Sequence, residues 1–267
     1  MSDNAPDPWL TLRRFTAARI ALGHAGISQP TAPQLAFQLA HAQARDAVQQ
    51  TLDTAALAGA LSAAWPGLPE PLLLHSAAEN RHVYLQRPDL GRRLDAPSRA
   101  LLASHGADEA EPAKYDLAIV VADGLSARAV MENAAPLLQA LQGQPGAGAW
   151  LLAPPCIVQQ GRVAIGDEIG QLLGASMVVV LIGERPGLSS PDSLGAYLTW
   201  APRVGLTDES RNCISNIRPA GLRCEQAAAR LHYLLAEARR RALTGIGLKD
   251  ETSTESLAAG SGPAFLL

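Results

Sequence analysis

The sequence predicts an α/β protein in which an N-terminal helical region precedes a mainly parallel, Rossmann-like sheet with flanking helices. The apolar run 177–182 is continuous rather than alternating and rich in valine, which is typical of a strand covered on both faces. A similar run, 116–122, lies upstream, and helical patterns separate the two. Strands that alternate with helices indicate right-handed crossovers and therefore parallel pairing.

Composition places the chain among globular proteins. Its 267 residues are 48% hydrophobic, which is enough for a sizeable core. The net charge is -3 and the arginines are scattered, so nucleic acid is not an expected partner. No signal peptide or membrane-spanning stretch is evident, and the three cysteines form no CxxC pair. We therefore predict a cytoplasmic protein without a membrane partner.

Residues 1–110 are predicted to be mainly helical. A short helix is expected at 16–22, and Thr31 with Gln34 can form a capping box before a long helix. The periodic pattern from 53 to 74 is broken by prolines, and another helix is expected at 75–85. The arginine-rich segment 84–94 is irregular, which suits either a partner contact or a solvated loop.

An acidic, proline-ended segment at 106–112 marks the predicted boundary between regions 1–110 and 111–250. In the second region we expect a turn at Asp123 and Gly124, an edge strand at 197–201 and a disordered tail at 251–267. The other expected elements are strands at 116–122, 150–158, 161–166 and 177–182, helices at 126–142, 167–174 and 224–245, and an irregular segment at 211–218.

Glu184 and Arg185 follow the central strand directly, at the end where open α/β sheets bind ligands. They could instead pair with each other or cap a neighbouring helix, and the sequence leaves both interpretations open. The turn from Asp123 to Ser126 is expected to leave free N–H groups at a helix start, which would suit a polar ligand group.

Common catalytic and metal signatures are missing. The sequence has no GxxxxGK[ST] loop, strand-led GxGxxG, GxSxG or HExxH motif. The six histidines form no dense metal constellation, and a solvated His41 is the simpler interpretation of that residue. Cys213 is a candidate nucleophile, although intracellular cysteines are more often inert.

Five stretches in the same order resemble the small (light) subunit of ethanolamine ammonia-lyase, over about residues 10–250. They are AFQLAHAQARDA (36–47), YLQRPDLGRRL (84–94), GRVAIGDEIG (161–170), VVVLIGERPG (178–187) and CISNI (213–217). The resemblance implies an adenosylcobalamin-dependent enzyme that converts ethanolamine to acetaldehyde and ammonia by a radical mechanism. It also implies a hetero-oligomer with a large subunit, a TIM barrel that carries the catalytic groups and contacts region 1–110.

In this family the cobalamin contacts match Val163, Glu184 and Cys213, and the resemblance implies no catalytic residue and no metal ligand in this chain. None of the six histidines has an aspartate two residues before it, so the DxHxxG motif that replaces the lower base is absent and a base-on cofactor is expected. Packaging in a bacterial microcompartment is a further expectation. There are two alternatives to the small-subunit function. One is a free-standing enzyme that uses Cys213 and Glu184, and the other is a pure scaffolding protein.

Overall fold

The computed structural model describes residues 8–16, 18–105 and 115–251. Within these ranges the helices are α1 (Thr31–Gln49), α2 (Thr54–Ala64), α3 (Arg81–Gln86), α4 (Ala96–Ala103), α5 (Ala127–Gln142), α6 (Ile165–Leu173) and α7 (Cys224–Arg241). The strands are β1 (Leu72–His75), β2 (Tyr115–Ala122), β3 (Cys156–Gln159), β4 (Ala175–Gly183), β5 (Leu194–Trp200) and β6 (Arg211–Ile217). The predicted α/β class is confirmed.

The six strands form one mixed sheet in the order β1-β3-β2-β4-β5-β6. The first four strands of that order pair in parallel, whereas β5 and β6 continue the sheet in antiparallel pairing. Connections through α5 and α6 allow the parallel pairing because a parallel crossover needs a long connection. This order differs from the 3-2-1-4-5-6 order of dinucleotide-binding sheets, so the Rossmann-like description does not hold for the strand order.

Strand β4 is central because helices cover both of its faces. Val179 and Leu181 pack into the core that contains α2, α5 and α7, whereas Val178 and Val180 pack into the core that contains α6. Successive side chains of a strand point to opposite faces, so a strand buried on both faces needs an uninterrupted apolar sequence. The interpretation of 177–182 is therefore confirmed.

Two predicted strands are corrected. Residues 161–166 form a turn that leads into α6 rather than a strand. Gly166 permits this arrangement, because a Cβ there would clash with Val180 and would hold α6 away from β4. The predicted edge strand at 197–201 belongs to β5, which lies between β4 and β6. The segment 211–218, predicted to be irregular, forms edge strand β6.

The N-terminal region also differs in detail. The expected helix at 16–22 is absent from the residues described there, and the sequence interpretation missed β1, a strand of only four residues. The helix expected at 75–85 is α3, which starts at Arg81. Helix α1 is capped by Pro30 without a side-chain hydrogen bond, so the capping box predicted for Thr31 does not form.

The predicted boundary near residue 110 falls between β1 and β2, and both strands belong to the same sheet. The division into regions 1–110 and 111–250 therefore stays a prediction. The acidic segment at 106–112 and the disordered tail predicted for 251–267 lie outside the described residues, except for Glu251.

Candidate ligand-binding site

An open hollow of about 430 Å³ lies at the carboxyl ends of β2 and β4. We call it the strand-end hollow. Its lining combines apolar, aromatic and charged side chains with exposed backbone, and the residues are Tyr84, Gly124, Leu125, Arg162, Val163, Ile182, Gly183, Glu184, Arg185 and Tyr197. This is the edge at which open α/β sheets bind their ligands.

Two glycines allow the loops of the hollow to cross closely. Gly124 has a φ of 57°, in the left-handed region, and a Cβ there would clash with the carbonyl oxygen of Gly183. A Cβ at Gly183 would in turn clash with the carbonyl oxygen of Ser126. Because neither position can hold a larger residue without moving backbone, the floor of the hollow is fixed by main-chain contact.

Glu184 lies one residue beyond β4 and is held from two sides. Its Oε2 accepts a hydrogen bond of 2.5 Å from Ser193 Oγ and one of 3.2 Å from the backbone N–H of Asn216. Its Oε1 accepts no hydrogen bond within the described ranges. The carboxylate forms no ion pair with Arg185 in the part of the chain that the structure describes, and the exposed Arg185 lines the same hollow. One carboxylate oxygen thus remains available to a ligand.

Val163 and Cys213 lie on different elements. Val163 is half-buried in the turn before α6 and lines the strand-end hollow. Cys213 is an exposed residue on β6, opposite Tyr197 of β5, and reaches the hollow only through that tyrosine. Partial desolvation raises the pKa of the Cys213 thiol, a hydrogen bond with Tyr197 opposes this increase, and the nearby Glu184 carboxylate adds to it. A thiol that stays protonated near neutral pH is a poor nucleophile, which argues against covalent catalysis by Cys213.

Sequence reasoning missed an aromatic and cationic stack beside the hollow. The buried ring of Tyr84 contacts two guanidinium groups, with Cζ of Arg81 at 4.8 Å and Cζ of Arg162 at 4.2 Å from its centroid. The phenol donates a hydrogen bond of 3.0 Å to the carbonyl oxygen of Gly161. Burial raises the pKa of Tyr84, so the phenol is a donor at neutral pH. Tyr84 and Arg162 lie in two of the stretches that carry the family resemblance, but their meeting with Arg81 has no local signal, because the three residues come from α3 and the β3–α6 turn.

Buried Asp123 joins two turns of the site. Its carboxylate accepts hydrogen bonds from the backbone N–H groups of Gln160 at 3.0 Å and Gly161 at 3.1 Å. Desolvation raises the pKa of Asp123, and these hydrogen bonds together with Arg81 oppose the increase. Of the N–H groups predicted to be free in the turn after Asp123, those of Leu125 and Ser126 are not available, because they donate to the carbonyl oxygens of Gly183 and Asp123.

Among the described residues, no cluster of three or more histidine, cysteine or acidic side chains could hold a metal ion. None of the residues that line the strand-end hollow is a histidine. Within the described ranges, no helix has an apolar stretch of the length that crossing a membrane requires.

The fold and the hollow define an α/β protein that offers a partly open ligand site at the carboxyl ends of its central strands. The family model for ethanolamine ammonia-lyase light chain (EutC) matches residues 6–249. The chain is 59% identical over 254 residues to the ethanolamine ammonia-lyase small subunit of Ralstonia nicotianae, covering 95% of this chain and 92% of that one.

Two Pseudomonas relatives are similar to the same extent. The small subunit from Pseudomonas aeruginosa is 59% identical over 254 residues, covering 95% of this chain and 91% of its own. That from Pseudomonas putida is 60% identical over 253 residues, covering 94% and 91%. The chain therefore belongs to the family of ethanolamine ammonia-lyase small (light) subunits. Membership implies a lyase and a large-subunit partner.

Proposed function

We propose that this chain acts with its large subunit in the adenosylcobalamin-dependent conversion of ethanolamine to acetaldehyde and ammonia, and that its own task is to hold one side of the cobalamin. The observation that carries the proposal is the strand-end hollow, which brings together Val163 and the free Oε1 of Glu184. Cys213 lies beside them across Tyr197. These are the three positions implied by the family resemblance.

The residues present fit a corrin with amide side chains. Such a ligand offers apolar ring surface to Val163 and amide N–H donors to Glu184, and the hollow supplies both kinds of contact. Pockets that enclose drug-sized ligands measure about 300–1,000 Å³. The hollow, at about 430 Å³, lies in the lower part of that range. Cobalamin is a much larger molecule than a drug-sized ligand, so the hollow can hold only part of it. The fit supports a site completed by the large subunit.

The residues of this chain bind and orient rather than react. The cofactor, when bound, supplies the radical chemistry, and the protein supplies enclosure and orientation. Glu184 would accept hydrogen bonds from the ligand through Oε1, while Ser193 and Asn216 fix its other oxygen. Burial raises the pKa of Tyr197, so its phenol stays neutral, and its hydrogen-bond partner is the Cys213 thiol. We assign no catalytic residue to this chain.

We propose that cobalamin binds base-on, with its own lower base retained, as far as the residues of this chain determine it. Replacement of the lower base would need a histidine in the site, and none of the described residues that line the hollow is a histidine. We further propose a cytoplasmic location. Packaging in a microcompartment stays an expectation from the family.

The N-terminal region carries the proposed docking surface for the large subunit, which is expected to be a TIM barrel. Helix α1 buries only Ala40 and Ala47, whereas Leu35 and Leu39 are 58% and 61% exposed. Phe37 of the same helix is also exposed. An apolar helix surface of this kind is typical of a protein interface, and the partner implied by the family is the large subunit.

The central test is co-expression with the large subunit, followed by an ammonia-release assay with ethanolamine and adenosylcobalamin. We expect the complex to release ammonia and the isolated chain to be inactive and poorly soluble, because its α1 surface lacks its partner. Robust turnover by the isolated chain would instead support a free-standing enzyme. Binding of the large subunit without any gain in cofactor affinity would support a scaffolding protein.

Charge reversal at Arg92 and Arg93 tests the arginine-rich segment. Both side chains are exposed and form no ion pair within the described ranges, so they are available to a partner. We expect Arg92→Glu with Arg93→Glu to weaken assembly about fivefold or more, as measured by sedimentation with the large subunit at low cofactor occupancy. The matched control is Arg203→Glu, another exposed arginine on the β5–β6 connection. Equal assembly by both variants would place 84–94 outside the interface.

A further inference from the structure

Arg81 lies where α1 meets the two turns that line the strand-end hollow. Its Nε donates a hydrogen bond of 2.7 Å to the carbonyl oxygen of Val48, in the last turn of α1. Its Nη1 donates one of 2.7 Å to the carbonyl oxygen of Gly124 and one of 3.3 Å to Oε1 of Gln160. The Arg81 side chain is only 14% exposed. One buried guanidinium thus contacts three separate parts of the chain.

The contact with Val48 fixes the position of α1. In the ranges that the structure describes, it is the only hydrogen bond that joins α1 to an element later in the chain. The last carbonyl groups of a helix lack intrahelical partners and carry partial negative charge. A hydrogen bond to a charged group contributes more to stability than a hydrogen bond between two neutral groups. Helix α1 buries only Ala40 and Ala47 fully, so its packing on the rest of the chain is limited and the Arg81 contact adds to it.

The contacts on the other side reach the lining of the hollow. Gly124 is itself a lining residue and packs on Gly183, next to Glu184. The Arg81 guanidinium also stacks on the ring of Tyr84, which the lining residue Arg162 contacts as well. Nη2 of Arg81 and Nε of Arg162 are buried without a hydrogen-bond partner, so neither side chain is held by a full set of bonds. A shift of α1 is therefore transmitted to both sides of the hollow.

We propose that Arg81 is a positioning residue that couples the docking of α1 on the large subunit to the shape of the strand-end hollow. This inference rests on the proposed function, because it takes the large subunit as the occupant of the α1 surface. Docking holds α1 in place, α1 holds Arg81 through Val48, and Arg81 holds the turn at Gly124. Assembly then pre-organises the ligand site, which lowers the cost of ordering it on binding.

The test uses hydrogen exchange on the full chain, alone at low concentration and in the complex, both without cofactor. In the wild type we expect assembly to slow exchange in segments 122–126 and 158–163 at least about fivefold, the lower end of typical coupling effects. In Arg81→Met the complex should still form, but this slowing should be lost. Arg81→Lys keeps the positive charge and some of the hydrogen-bond donors, so assembly should again slow exchange in part. This partial recovery would show that the result with Arg81→Met does not come from loss of the fold.

Arg99→Met is the matched control. Arg99 also links a carboxylate and a backbone carbonyl of other segments, Glu168 and Leu94, but it does not contact the hollow. We expect normal slowing in this variant. Slowing that persists in Arg81→Met, or that is lost equally in Arg99→Met, would overturn the coupling role. A wild-type complex that binds no cobalamin would instead refute the proposed function, since the exchange measurement contains no cofactor.

Discussion

Replacing Glu184 with glutamine in the assembled enzyme should weaken cobalamin binding by about one to two decades. A hydrogen bond to a charged group is worth about 1.5–3 kcal/mol, which converts to that range of affinity. The structure gives a specific reason for this loss of affinity. Oε2 is already held by Ser193 and Asn216, so a glutamine that keeps these two bonds must turn its NH₂ group toward the ligand. The free acceptor of the hollow thereby becomes a donor.

The measurement is equilibrium binding of cobalamin to complexes with the large subunit. Glu184→Ala removes the acceptor and leaves a gap, so it should bind no better than Glu184→Gln. The control Glu70→Gln changes an exposed carboxylate outside the hollow and should bind like the wild type. Turnover at saturating cofactor should persist in both Glu184 variants. Normal affinity together with complete loss of turnover would show that Glu184 is not a binding residue.

Elements with strong local signals were predicted well from the sequence. Strands β2 and β4 are buried on both faces, and such burial forces a continuous apolar sequence. Helix α5 begins where Ser126 caps it, with Oγ accepting a hydrogen bond of 3.1 Å from the amide of Ala129. By contrast, β1 has only four residues and follows several prolines, so its pairing with β3 comes from tertiary contacts and leaves no local pattern.

The site was predictable only in part, because several of its contacts also depend on tertiary packing rather than on a local sequence pattern. Glu184 could be placed by chain direction alone, because it follows a buried parallel strand. Val163 and Cys213 were named through the family resemblance, and their roles stay proposals. Arg81 and Arg162 gave no signal, since their meeting at Tyr84 depends on how α3 and the β3–α6 turn pack in the folded chain.

The largest expected effect on stability lies away from the hollow, at a buried ion pair between β6 and α6. Nη2 of Arg211 bonds to Oδ2 of Asp167, and the two side chains are 2% and 3% exposed. The same nitrogen donates a hydrogen bond of 3.2 Å to the carbonyl oxygen of Leu206. Arg211 therefore ties α6 to the β5–β6 connection in a place where water cannot replace its bonds.

Arg211→Met should lower the free energy of unfolding by about 3–5 kcal/mol, because it leaves the Asp167 carboxylate buried without its partner. The double variant Arg211→Met with Asp167→Leu should recover most of this loss, since the desolvation cost of both charges then disappears. Urea unfolding followed by tryptophan fluorescence, at one protein concentration, measures all variants. Asp208→Asn is the control, because Asp208 is a fully exposed second partner of Arg211 and its loss should cost under about 1 kcal/mol. A double variant as unstable as Arg211→Met would mean that the packing of the arginine stem, rather than the unpaired carboxylate, sets the cost.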